Sequence, residues 1–128
     1  MLRQQNPMGK QLILSVSIVL FNENLIELTK TIDCFLELPI QKKLFLIDNT
    51  PKNLFKNKFN HEEIEYISVD DNIGFGAGHN KIIHKIKGLS KFHLILNPDV
   101  IFKSTILTNL IIQLEKDKNI SMIAPKVL

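Results

Sequence analysis

Cysteine is nearly absent: Cys34 is the only one, and it lies within a helical pattern. No disulfide framework can hold the chain, and nothing in its cysteine usage asks for an oxidising compartment. Arginine is just as scarce. Arg3 is the sole arginine among 16 basic residues, and the lysines are scattered, so the net charge of +3 reads as solvated surface and no nucleic-acid partner is expected. The densest basic stretch, Lys52, Lys56 and Lys58 with Phe55 and Phe59 between them, reads as a lysine-rich loop. Long hydrophobic runs are missing too. The most apolar segment, Gln11 to Phe21, is too short to cross a bilayer, is interrupted by Ser15 and Ser17, and is followed by no small-residue cleavage site. The expected setting is the cytoplasm, with the inner face of the membrane as a place of work.

What is present is enough apolar residue, 45% of 128, for one compact domain with its own core. Residues 1–10, "MLRQQNPMGK", have no periodicity and are expected to be a disordered leader or an expression remnant, leaving 11–128 as the folded unit. Beyond them two textures alternate. "QLILSVSIVLF", "KKLFLID", "IEYISVD", "FHLILN" and "ISMIAP" read as strands, several apolar on both faces as in a helix-covered parallel sheet. Between them lie helical patterns. Leu25, Leu28, Ile32 and Phe35 follow a capping pair at Asn24 and Glu27; Ile82, Ile83 and Ile86 belong to a helix over about 76–87; Leu107, Leu110, Ile111 and Leu114 follow Ser104. The alternation predicts an α/β fold with a mostly parallel sheet flanked by helices, in which ligands bind outside the carboxyl ends of the strands.

Polar residues collect at those ends: Asn22, beside Phe21, after the first strand, Asp48 and Asn49 after the second, Asp70 to Asn72 after the third, Asn97 and Asp99 after the fourth. Local turn chemistry favours Asn and Asp at such positions, but four consecutive strands ending this way suggest a binding rim. The loop "NIGFGAGHN" has Gly74, Gly76 and Gly78 spaced G-x-G-x-G, with His79 where a dinucleotide fingerprint needs its third glycine. It is not a Walker loop either. Its bare backbone still permits close approach of a ligand, and amides at a helix start favour an anion. In "LILNPDV", Pro98 stops the strand and leaves Asn97 and Asp99 on either side, a donor set suited to a hard cation such as Mg²⁺ or Mn²⁺. His79 and His84, five apart, do not share a helix face as a metal pair would, and His61 and His93 have no ligand partner in sequence.

Taken together, "VSIVLFN", "LIDNT", "NIGFGAGHN" and "LILNPDV" resemble the donor-binding half of family 2 glycosyltransferases of GT-A (Rossmann-like) fold, particularly bacterial rhamnosyltransferase-like members that build surface polysaccharides. The resemblance covers about Ser15 to the C-terminus. It implies that Phe21 and Asn22 lie along the base of a nucleotide sugar, that Asp48 hydrogen-bonds the base, and that Asn72, Gly74, Gly78 and Asn80 shape the loop beside base and ribose with Phe75 behind. Asn97 and Asp99 stand at the family's D-x-D position, Asp99 as the metal ligand. Pro51 stands where the family commonly has the serine of D-N-x-S.

The activity so implied is transfer of a sugar from a UDP- or dTDP-linked donor to a hydroxyl of a saccharide or lipid-linked acceptor, with inversion and with Mg²⁺ or Mn²⁺ as cofactor. The family's catalytic base lies in the second half of the domain, so a fragment truncated after the donor-binding half is expected, with self-association through the exposed apolar face. Two other readings remain. One is a non-catalytic α/β nucleotide-binding or regulatory module; the other, a nucleotidyltransferase, lacks the glycine-rich basic loop it would need after the first strand, where this chain has "LFNENL".

Overall fold

The computed structural model describes residues 1–3, 11–51 and 55–126. Its elements, in chain order, are β1 (Leu2–Arg3), β2 (Leu12–Leu20), α1 (Leu25–Leu36), β3 (Lys42–Asp48), β4 (Ile64–Ser68), α2 (Phe75–Asn80), α3 (Ile83–Ile86), β5 (Ser90–Ile95) and α4 (Ser104–Lys116). The sheet runs β1-β5-β2-β3-β4. β5, β2, β3 and β4 are parallel to one another, and only the short β1 pairs antiparallel, on the outer edge of β5. The fold is therefore α/β and Rossmann-like, with a mostly parallel sheet flanked by helices.

The period-2 alternation of β2 divides the core. Leu14, Val16, Ile18 and Leu20 join Leu44, Leu46, Phe92 and Leu94 in a cluster closed by Leu28, Ile32 and Phe35 of α1 and by Leu107, Leu110, Ile111 and Leu114 of α4. On the opposite face Val19, Phe45 and Ile47 pack with Ile82 and Ile86 of the α2–α3 segment. α1 begins where Asn24 accepts hydrogen bonds from the amides of Ile26 and Glu27, a cap that contributes about 1 kcal/mol. Fully buried Leu28 and Phe35 each add about 1.5–3 kcal/mol.

Three expectations need correction. Met1–Arg3 are not part of a structureless leader: Met1 is buried in the core and Leu2 and Arg3 pair with His93 and Phe92. The rest of the leader, 4–10, lies outside the described residues. The helix expected over 76–87 is broken into α2 and α3, because its first turn is glycine-rich and β-branched Ile82 and Ile83 follow; the ladder tightens to an Ile82 N–H bond to His79 O and restarts at Ile82. "ISMIAP" is not a strand but one bridge residue, Met122, plus two backbone bonds exchanged between Ile123 and Met1. Among the described residues no helix is long and apolar enough to cross a membrane.

Candidate functional site

β2 feeds α1 on one face of the sheet, and β4 leads into α2 on the other. The strand order reverses between β5 and β2, and in parallel sheets ligands bind at such a switch point, outside the carboxyl ends of the strands. The tripeptide Asp48–Asn49–Thr50, which leaves β3 at this end of the sheet, is buried throughout. Each of its side chains ties down a different neighbour. Asp48 accepts from the Thr50 amide at 2.9 Å, closing a local turn, and from the Tyr66 hydroxyl of β4. Burial first, and then this bond and the Asp48 charge, hold the Tyr66 phenol protonated well above its ordinary range. Asn49 donates its amide to Gly74 O at 3.1 Å. Thr50 Oγ1 accepts from the Asn22 amide at 2.9 Å, and Asn22 reaches it by adopting φ 52°.

The glycine loop owes its composition to two local demands. Gly74 has φ 88°, which side-chain-bearing residues rarely adopt, and its amide is held by Asn72 Oδ1 at 3.2 Å. At Gly78 a Cβ would come within 2.7 and 2.9 Å of the Val19 methyls, so the glycine lets α2 settle on β2. A Cβ on Gly76 would meet nothing within 4 Å. Phe75 is half exposed and stands edge-on to the His79 ring, the centroids 4.4 Å apart.

At the other lip, Thr31 of α1 donates its hydroxyl to Pro98 O at 2.9 Å and fixes the turn that leaves Asn97 and Asp99 exposed. Glu23 shares this lip. Desolvation raises its carboxyl affinity for protons, the Phe21 amide opposes the rise, and the charges of Asp99, Glu27 and Asp48 add to it. Among the described residues no three His, Cys, Asp or Glu side chains are grouped to cage a metal. Asp99, with Glu23 in its field, fits only a cation that completes its shell with phosphate and water, as Mg²⁺ commonly does.

Phe21, Asn22, Asn72, Gly74, Asn80, Asn97 and Asp99 are all exposed at this end of the sheet, and Gly78 is buried beneath them. Asp48 departs from expectation. Its side chain is fully buried with both oxygens engaged, so it anchors the rim from behind rather than offering an open carboxylate to a base. A cavity of about 740 Å³ lined by Lys42, Lys43, Phe45 and Glu63 opens at the amino ends of the strands, away from this rim.

Sequence reading missed the network that joins five polar residues inside the fold: Ser15, Ser17, His79, Ser90 and His93, all buried and hydrogen-bonded in one chain. The available signal was Ser15 and Ser17, two hydroxyls on one face of an otherwise apolar strand. No protein-family model matches the chain, and no curated protein matches it significantly.

Proposed function

We propose that this chain is the nucleotide-sugar-binding portion of an inverting glycosyltransferase acting in surface polysaccharide biosynthesis. The observation that carries the reading is the buried Asp48–Asn49–Thr50 junction, which braces both sides of the polar rim at the carboxyl ends of a parallel sheet. Phe21 and Asn22 on one lip and the Asn72–Asn80 loop on the other would hold the base and ribose of a UDP- or dTDP-linked sugar. Asn97 and Asp99 would face the diphosphate, Asp99 holding Mg²⁺ or Mn²⁺. When bound, that cation supplies charge neutralisation for the departing nucleoside diphosphate. The half-exposed Phe21 offers a stacking surface, and exposed Asn22, Asn72 and Asn80 offer amide donors and acceptors. The partner in transfer would be a hydroxyl of a saccharide or lipid-linked acceptor, and no described residue is assigned as its base.

Isothermal titration with uridine and thymidine diphosphates, with and without Mn²⁺, tests this on the chain and on Asp99→Ala. Binding that strengthens with Mn²⁺ and loses that dependence in the variant supports the reading; a folded sample that binds neither nucleotide overturns it. Affinity indifferent to metal favours a second reading, a nucleotide-binding module without chemistry.

A further inference from the structure

Ser15 and Ser17 of β2, Ser90 and His93 of β5 and His79 of α2 form one buried chain. Ser90 Oγ lies 2.6 Å from Ser15 Oγ, Ser15 Oγ 2.6 Å from His93 Nδ1, His93 Nε2 2.9 Å from Ser17 Oγ, and Ser17 Oγ 2.7 Å from His79 Nδ1. Strand register makes the chain possible, because Ser15 and His93 are directly paired between β2 and β5. Each hydroxyl has one proton to give, and a neutral imidazole has one donor and one acceptor nitrogen. Given the Ser90 bond to Phe92 O, the proton count has one solution. Ser90 donates to Phe92 O at 2.9 Å. Ser15 therefore donates to Ser90 and accepts from His93 Nδ1–H; His93 Nε2 accepts from Ser17; and Ser17 accepts from His79 Nδ1–H. The direction set at Ser90 is passed through both rings and leaves His79 Nε2 with a lone pair and no proton.

That atom is buried and has no hydrogen-bond partner among the described residues, on a side chain only 8% exposed. A buried acceptor without a donor is a cost that native structures rarely carry without use. Its position is specific: His79 directly follows Gly78, and its ring meets the half-exposed Phe75. A second buried acceptor, Asn49 Oδ1, is also unpartnered, on the side chain that holds the same loop through Gly74. Burial lowers the proton affinity of both imidazoles, His93 to about 4, with the His79 charge as a lesser cause, so both are neutral near pH 7.

We propose that His79 Nε2 is a ligand-binding atom, an acceptor held in one tautomer by the Ser90–Ser15–His93–Ser17 chain. It takes a hydroxyl or N–H of a nucleoside seated against the glycine loop, with Phe75 moving aside to admit it. This rests on the nucleotide-binding reading above. His79 touches the ligand, while Ser15, Ser17 and His93 are positioning residues.

Side-chain ¹⁵N NMR of histidine-labelled protein, recorded free and with uridine or thymidine diphosphate, tests the proposal without any variant. The expected result is a His79 protonated at Nδ1 and bare at Nε2 in the free protein, with the Nε2 resonance moving toward its hydrogen-bonded position on binding. A response to uridine diphosphate alone assigns the ribose 2′-hydroxyl; a response to both nucleotides assigns a donor they share. His79→Asn keeps an N–H for Ser17 but has no acceptor at the Nε2 position, and is expected to weaken binding about five- to tenfold. His79→Gln, whose amide oxygen reaches that position, recovers part of the loss. In His93→Phe, Ser17 is released to donate to His79 Nδ1, and the free-state tautomer of His79 shifts to Nε2–H. A proton on Nε2 in the free wild type overturns the proposal, as does an Nε2 already hydrogen-bonded there and unmoved by nucleotide, which marks an internal water. Tight binding with His79 unmoved and His79→Asn unimpaired overturns this inference and leaves the functional reading intact. Absence of nucleotide binding overturns both.

Discussion

The Asn49 side-chain amide donates to Gly74 O across 3.1 Å, joining the end of β3 to a loop that begins beyond the next strand. That bond and the Thr50–Asn22 bond beside it make two lips of the rim depend on one buried tripeptide. Asn49→Ala should therefore cost about 1 kcal/mol of stability, the usual net worth of such a bond. Its larger effect should be local: amide exchange across Gly74–His79 speeds up while the β2 and β3 amides keep their protection. Hydrogen-exchange mass spectrometry checks this, and uniform acceleration across the chain would contradict it.

Gly76 and Gly78 should respond oppositely to alanine. At Gly76 the new methyl meets open space, so improved helix propensity gives a neutral to stabilising change of up to about 1 kcal/mol. At Gly78 it collides with Val19, and overpacking of this kind costs about 1–3 kcal/mol. Val19→Ala in the Gly78→Ala background should recover part of that cost. Urea denaturation of the four proteins reads the cycle directly.

Tyr66 is the only tyrosine and the chain has no tryptophan, so ultraviolet absorbance in alkali reports this phenol alone. Its ionisation should be delayed well above the ordinary value of 10.0, and because the folded state keeps the proton longer, stability should fall as pH rises past 10.0. Asp48→Asn removes the carboxylate charge and should bring the titration back toward the ordinary value. A wild-type phenol that titrates normally would mean the Tyr66–Asp48 bond does not form in solution.

His93 gives an acid-side counterpart. Burial depresses its affinity from 6.5 to about 4, so between those values the unfolded chain binds a proton that the folded chain refuses. Its contribution is fully present above 6.5 and is lost as pH falls through this window, by up to about 3 kcal/mol from the one group. Urea midpoints measured from pH 7 to pH 4 should decline, and His93→Gln should flatten the decline. An equal slope in the variant would assign it to other groups.

Much of the fold was legible because its signals are local. The apolar run 42–48 is β3, the Asn24 cap and the Leu28, Ile32 and Phe35 stripe give α1, and Ser104 opens α4. The failures came where pairing partners decide the outcome. "ISMIAP" has strand character, but the partner in reach is Met1, and one bridge is what forms there. Of the rim, the exposed residues could be named from their positions at strand ends, whereas the burial of Asp48 could not, because it depends on Tyr66 arriving from β4.

By itself the sequence determined the α/β alternation and the location of a polar rim, since hydrophobic period and chain-breaking residues act over a few positions. Tertiary structure alone decided what the polar residues do. Two glycines of the loop answer to backbone sign and to Val19, Asp48 is a buried anchor, and Ser15, Ser17 and His93, which look unrelated in sequence, meet across parallel strands with His79 joining them from α2. Hydrogen bonds need partners within about 3 Å. Residues 62 to 78 positions apart acquire such partners only when the sheet's register and the packing of α2 on β2 bring them together.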